Sequence, residues 1–174
     1  MTGPVTYSVS SSRRIDGAPE LVYGIIADYV TGHPQMIPPR YFRDLTVQKG
    51  GYGEGTEIAV TMMALGRETR FTAVVTEPIP GRVLVETAPG EGVVTSFRVD
   101  PAGGASGADV TIQTEFRLKP GVGGALERMV YSLVLRRIYR EELRRLETVA
   151  RERSGAHQPD AGGERQAPDE TRSR

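Results

Sequence analysis

Between Tyr41 and Leu118, six runs of alternating apolar and polar residues follow one another, cut apart by glycine and proline, and one long amphipathic stretch comes after them. The runs are Tyr41–Gln48, Thr56–Ala64, Arg67–Glu77, Val83–Thr87, Val93–Asp100 and Val110–Leu118. A period of two sends neighbouring side chains to opposite faces of a sheet. Turn signals recurring every 8–12 residues or so are the rhythm of an antiparallel meander. Such a sheet must bury its apolar face against something. The stretch Ala125–Arg153 is the one large apolar partner in the chain. The pattern therefore predicts an α+β fold in which a curved sheet grips a helix.

The N-terminal part supplies a seventh strand and a short helix. Val5–Ile15 alternates, with Val5, Tyr7, Val9 and Ser11 on one face. Asp16-Gly17 turns the chain, and Pro19 suits a first helical turn, where its missing N–H has no partner to lose. Val22, Ile25, Ile26 and Tyr29 recur at helical spacing, and Gly32 is expected to stop that helix. His33-Pro34 and Pro38-Pro39 restrict Gln35–Ile37 to one short turn. Leu65-Gly66 reads as a short hairpin connection. In the long helix, Leu126, Met129, Val130, Leu133 and Val134 are expected to form the first apolar stripe, continued by Ile138, Leu146 and Val149, with Glu141–Arg145 an i, i+4 pair. After Ser154 the composition turns to glycine, proline, glutamine and charge, which cannot bury a core. The division expected is a domain over 1–153 and a disordered tail over 154–174.

Composition removes several function classes. A chain of 174 residues suits one domain plus a tail. It has no cysteine and only His33 and His157, which excludes disulfides, thiolate sites and multi-histidine metal sites. Its 22 basic residues cancel its 22 acidic ones, so the field expected of a general nucleic-acid binder is missing. No apolar run approaches the ~18 residues of a membrane span, and Met1–Ser12 does not read as a signal peptide. A cytoplasmic protein without integral membrane association is expected, as monomer or homodimer.

Four segments carry a resemblance. Ile15-Asp16-Gly17-Ala18-Pro19-Glu20-Leu21-Val22-Tyr23, Gly50-Gly51-Tyr52-Gly53-Glu54-Gly55-Thr56, Val75-Thr76-Glu77-Pro78 with Pro80-Gly81-Arg82, and Leu143-Arg144-Arg145-Leu146-Glu147 occur in that order. Together they are similar to the START/Bet v 1-type (SRPBCC) superfamily, in particular its polyketide cyclase/dehydrase-like bacterial branch. The resemblance covers about Val5 to Arg153. It implies a helix-grip fold of about seven antiparallel strands around a long C-terminal helix, with an internal cavity. It does not imply one activity, because this fold hosts transfer proteins, sensors and cyclases.

Candidate chemistry is sparse. Gly121-Val122-Gly123-Gly124-Ala125-Leu126 has the context of a dinucleotide fingerprint, but Leu126 stands where a small residue is needed, and no second βαβ strand follows. The Gly50–Gly55 loop lacks the Gly-Lys-Ser/Thr of a phosphate loop. No cofactor is expected. The arginines of the long helix read as a solvated, salt-bridged face. Tyr7, Thr95 and Thr114 are polar groups on inward strand faces; in a filled core they bond to backbone, whereas in a hollow one they orient a ligand. With Val9, Tyr41, Met62, Phe71, Phe97, Met129 and Leu133 they form the expected cavity wall. Candidate catalytic groups are His33, placed by the pocket mouth, with Tyr7 and Arg13; Arg40 is a further charged neighbour. No pair of carboxylates falls on an inward strand face in this phasing. The leading expectation is a binder of a small hydrophobic, lipid-like or aromatic, molecule. A cyclase acting on a poly-β-ketone and a filled interaction module are the alternatives.

Overall fold

The computed structural model describes residues 6–103, 107–117 and 124–156. Seven strands and three helices follow in the order β1 (Thr6–Asp16), α1 (Pro19–Ala27), α2 (His33–Met36), β2 (Phe42–Lys49), β3 (Glu57–Ala64), β4 (Arg67–Ile79), β5 (Val83–Ala88), β6 (Val93–Pro101), β7 (Gly107–Arg117) and α3 (Gly124–Ala156). All strands join one sheet in the order β1-β7-β6-β5-β4-β3-β2, and every neighbouring pair is antiparallel. The first strand thus pairs with the last, while α1 and α2 carry the chain from one sheet edge to the other. This is the helix-grip arrangement expected of the pattern. An all-antiparallel sheet also contains no βαβ unit, so the glycine run before α3 has no dinucleotide-binding context; its residues 121–123 lie outside those described.

Local chemistry accounts for most boundaries. Leu65 and Gly66 have φ of 53° and 73°, the paired positive values that match a two-residue turn to the twist of its strands. The alternation in β6 and β7 puts Phe97, Val99, Val110 and Ile112 in the core. In α1 the expected stripe Val22, Ile25 and Ile26 is fully buried, as is Tyr29 beyond it. That helix stops at Ala27, earlier than the glycine at 32. Asp28 leaves helical geometry, and its carboxylate caps the amides of Val30 and Thr31 at 3.1 and 2.9 Å. Gly32 serves a different purpose: a Cβ there would stand 2.4 Å from the Ile25 carbonyl oxygen, closer than any side chain tolerates.

The long helix corrects the sequence reading most. Its buried face is Leu135, Ile138, Tyr139, Leu143, Leu146, Val149 and Ala150. Met129 and Leu133 are 55% and 63% exposed and point away from the sheet; Val130 and Val134 are half-buried, and the side chain of Leu126 is outside the described set. Glu141 and Arg145 do not pair with each other. Glu141 pairs with Arg40, and Arg145 donates to the Gln35 carbonyl at 3.1 Å. Arg13 pairs with Glu147, and Arg151 reaches both Glu147 at 2.8 Å and Asp16 at 3.3 Å. Each exposed pair contributes little alone, but together they tie one flank of α3 to β1 and to the α2 segment. The helix continues through Ser154 to Ala156; residues 157–174, with His157, lie outside those described.

Candidate functional site

The concave face of the sheet and the inner face of α3 do not close completely on each other. They leave a cavity of about 390 Å³, within the size range of small-molecule sites. Its wall is mostly apolar. Ile58, Val60, Met62 and Phe71 line it from the strands at one side, Phe97 and Phe116 from the other, and Leu135 and Ile138 from the helix. Leu65, at the β3–β4 turn, and the half-exposed Tyr131 of α3 belong to its outer rim.

Two polar constellations interrupt this wall. The first is a chain of hydroxyls: Thr95 and Thr114, directly opposed on β6 and β7, lie 2.8 Å apart, and Thr114 also bonds to Tyr139 of α3. Burial pushes the Tyr139 phenol well above its usual range, so it is a neutral hydroxyl at any ordinary pH. The second gathers His33, Glu86 and Glu142. His33 is only 3% exposed, stacked on Tyr29 at 4.5 Å and edge-on to Phe97 at 5.5 Å. Its Nδ1 lies 2.7 Å from the Ile26 carbonyl oxygen. A carbonyl can only accept, so Nδ1 carries hydrogen and Nε2 is turned toward Glu86, 3.7 Å from its Oε1. The Tyr29 hydroxyl donates to the same oxygen at 2.7 Å.

Glu142 reaches the cavity from the helix. It is 4% exposed. Burial, with the charges of Glu86 and Glu141 adding to it, pushes its carboxyl up to about 8. At neutral pH it is mainly a carboxylic acid, able to donate a hydrogen bond as well as accept one.

Set against the expected site, Tyr7, Met62, Phe71, Thr95, Phe97 and Thr114 do line the cavity. Four residues do not. Val9 is buried in solid core between the sheet and its neighbours, Met129 and Leu133 face outward, and Tyr41 lies outside the lining with Arg40 over its ring at 4.7 Å. Of the charged candidates, Arg13 is held outside the cavity by Glu147. His33 is not at the mouth but deep in the wall, because α2 folds back beneath α1. Tyr7 stacks on Phe116 at 4.9 Å. Glu86 and Glu142 were missed, yet each carried a signal. Glu86 has the same parity as Leu84 and Ala88 and pairs with Thr95, an inward position; Glu142 sits four residues after Ile138 and four before Leu146 on one helix stripe.

A family profile described as "Polyketide cyclase / dehydrase and lipid transport" matches residues 6–151. Among curated proteins, none matches the chain. Solved structures share the fold over nearly their whole length. The KanY protein, solved by NMR, is 28% identical with a TM-score of 0.73, over 86% of this chain and 99% of that one. TTHA0849 from Thermus thermophilus is 19% identical with a TM-score of 0.69, over 85% and 99%. The Zhui aromatase/cyclase from Streptomyces sp. R1128 is 18% identical with a TM-score of 0.65, over 91% and 99%.

Proposed function

This chain belongs to the polyketide cyclase / dehydrase and lipid transport family, and we propose that it works as a binder of one small hydrophobic molecule held between sheet and helix. The observation that carries the reading is the cavity of about 390 Å³ with its apolar wall. Removing apolar ligand surface from water stabilises the complex by about 25 cal/mol per Å², and the threonine–tyrosine chain supplies the few polar contacts that orient a ligand. The setting proposed for such a carrier or sensor is the cytoplasm. No helix among the described residues is long and apolar enough to cross a membrane.

A polarity-sensitive apolar dye is expected to bind with one-to-one stoichiometry. Phe71→Ala removes half-buried wall and should weaken binding about tenfold, whereas Met129→Ala, on the outer face of α3, should leave it within about twofold. Titration of the dye fluorescence decides this; equal effects from both substitutions would place the dye elsewhere.

A second reading, a cyclase acting on a poly-β-ketone, is favoured by one observation: the His33 imidazole and the Glu86 and Glu142 carboxyls face the same apolar cavity. Such groups can move protons, and a positioned acid or base contributes roughly 10²–10⁴-fold in rate. His33→Gln separates the two readings. For a binder it should change ligand affinity by less than about tenfold, or ~1.4 kcal/mol, and wild-type protein should not turn over a poly-β-ketone mimic. Turnover that His33→Gln abolishes, with binding intact, assigns the enzyme reading instead.

A further inference from the structure

The polar end of the cavity is acidic, and its charge is unbalanced. Glu86 from β5 and Glu142 from α3 both face it, and His33 from α2 is the single basic neighbour there. No lysine lines the cavity among the described residues. The remaining charged lining residues, Glu91 in the β5–β6 turn and Arg117 three residues beyond Thr114 along β7, are both exposed.

Glu142 is the unusual member. Glu86 accepts a hydrogen bond from Tyr29 and has His33 beside it. The Glu142 carboxyl, more than nine-tenths buried, receives no hydrogen bond or ion pair from any described residue and is turned into the cavity. No side-chain nitrogen or oxygen among the described residues is both sealed from solvent and without a partner, so the Glu142 oxygens open onto the cavity. A long apolar side chain at this position would continue the stripe from Ile138 to Leu146 and close the space. The position instead keeps an acid facing the cavity, with Glu86 as a second acid in the same lining. Like charges sharing a buried site resist ionising together. A cation placed between them lets both do so, and it supplies the donors that Glu142 lacks.

We propose that this end of the cavity recognises a protonated amine, so that the ligand is an amphiphile with an apolar chain or ring body and one basic nitrogen, its ammonium group seated between Glu86 and Glu142. The assignment rests on the ligand-binding reading above and narrows it. It also disfavours a fatty acid entering head first, since a further carboxylate at that end meets the charge of Glu86 and must keep Glu142 protonated. The apolar body extends from the acidic end along Phe97, Phe71 and Met62 toward the rim.

Three probes with the same tail and different heads test this: n-decylamine, n-decanol and n-decanoate, each competed against the bound dye at pH 6.5 and pH 8.5. An alkylamine, like the lysine ammonium with its pKa near 10.4, stays protonated at both values, and decanoate stays ionised. Decylamine should bind at least about tenfold more tightly than decanoate. Its affinity should rise by roughly tenfold between the two pH values, because Glu142, held at about 8, ionises over that interval. His33, Glu86, Glu141, Tyr139 and Tyr29 stand around the same end and are common to wild type and variant, so Glu142→Gln isolates the one group. In Glu142→Gln the rise with pH should vanish. Decanoate or decanol binding as tightly as decylamine overturns the amine assignment and leaves the binding reading standing. A rise with pH that survives in Glu142→Gln overturns it as well. If none of the three displaces the dye, the amine assignment fails, and the ligand-binding reading is decided by the dye titration and Phe71→Ala alone.

Discussion

Glu142→Gln is expected to make the protein more stable at pH 9 and to change little at pH 5. The folded protein holds the Glu142 carboxyl at about 8 against an ordinary 4.5, because burial and the neighbouring charges of Glu86 and Glu141 disfavour its anion. A folded state that keeps a proton which the unfolded chain releases loses stability as pH rises. The contribution is fully present below about 4.5, declines between the two values and is gone above about 8. At about 1.4 kcal/mol per pH step, the loss by pH 9 is on the order of 5 kcal/mol. Glutamine keeps the shape of the neutral acid and cannot ionise. Thermal melts of both proteins across pH 5–9 should show curves that coincide at the acid end and part at the alkaline end, by on the order of 10 °C for a domain this size. Curves that stay parallel would mean that water reaches Glu142 and that the cavity end is not dry.

Leu146→Ala should lower the stability by roughly 2–5 kcal/mol, and Leu133→Ala by no more than about 0.5 kcal/mol. Both leucines lie in α3, and both substitutions carry the same loss of side-chain volume and the same small gain in helix propensity. What separates them is the face: Leu146 is fully buried and Leu133 is 63% exposed. Urea unfolding monitored by circular dichroism measures the difference. Two equal, large losses would show that the outer face of α3 is covered in solution, and two small ones that the helix does not grip the sheet as described.

The same helix shows where the sequence stops being readable. In β6 and β7 the alternation left one solution: Phe97, Val99, Val110 and Ile112 had to share a face, and a one-residue slip would have exposed all of them. Thr95 and Thr114 followed as inward hydroxyls from that phase alone. The first half of α3 offers no such constraint. Met129, Val130, Tyr131, Leu133, Val134 and Leu135 surround the axis, so an apolar stripe can be drawn on either side, and the stripe through Met129 and Leu133 was the wrong one. The second half, from Ile138 to Ala150, resolves the phase, because Arg136, Arg137, Arg140 and Arg144 occupy the opposite side. Carrying that phase backward puts Tyr131, Leu135, Tyr139 and Glu142 inward.

The period-two runs, the glycine turns between them and the single helix that could cover the sheet determined the architecture by themselves, since each is enforced locally by sterics or by the need to bury one face. The Tyr7, Thr95 and Thr114 positions of the wall came from the same local rule. The acidic end did not. Glu86, Glu142 and His33 are separated by 53 to 109 positions in the chain, and no local spacing relates them. Their meeting depends on how far α2 folds back beneath α1, on which face of α3 turns inward, and on the sheet failing to close on that helix. These are properties of long-range packing, and it is packing that places a histidine and two carboxyls around one apolar space.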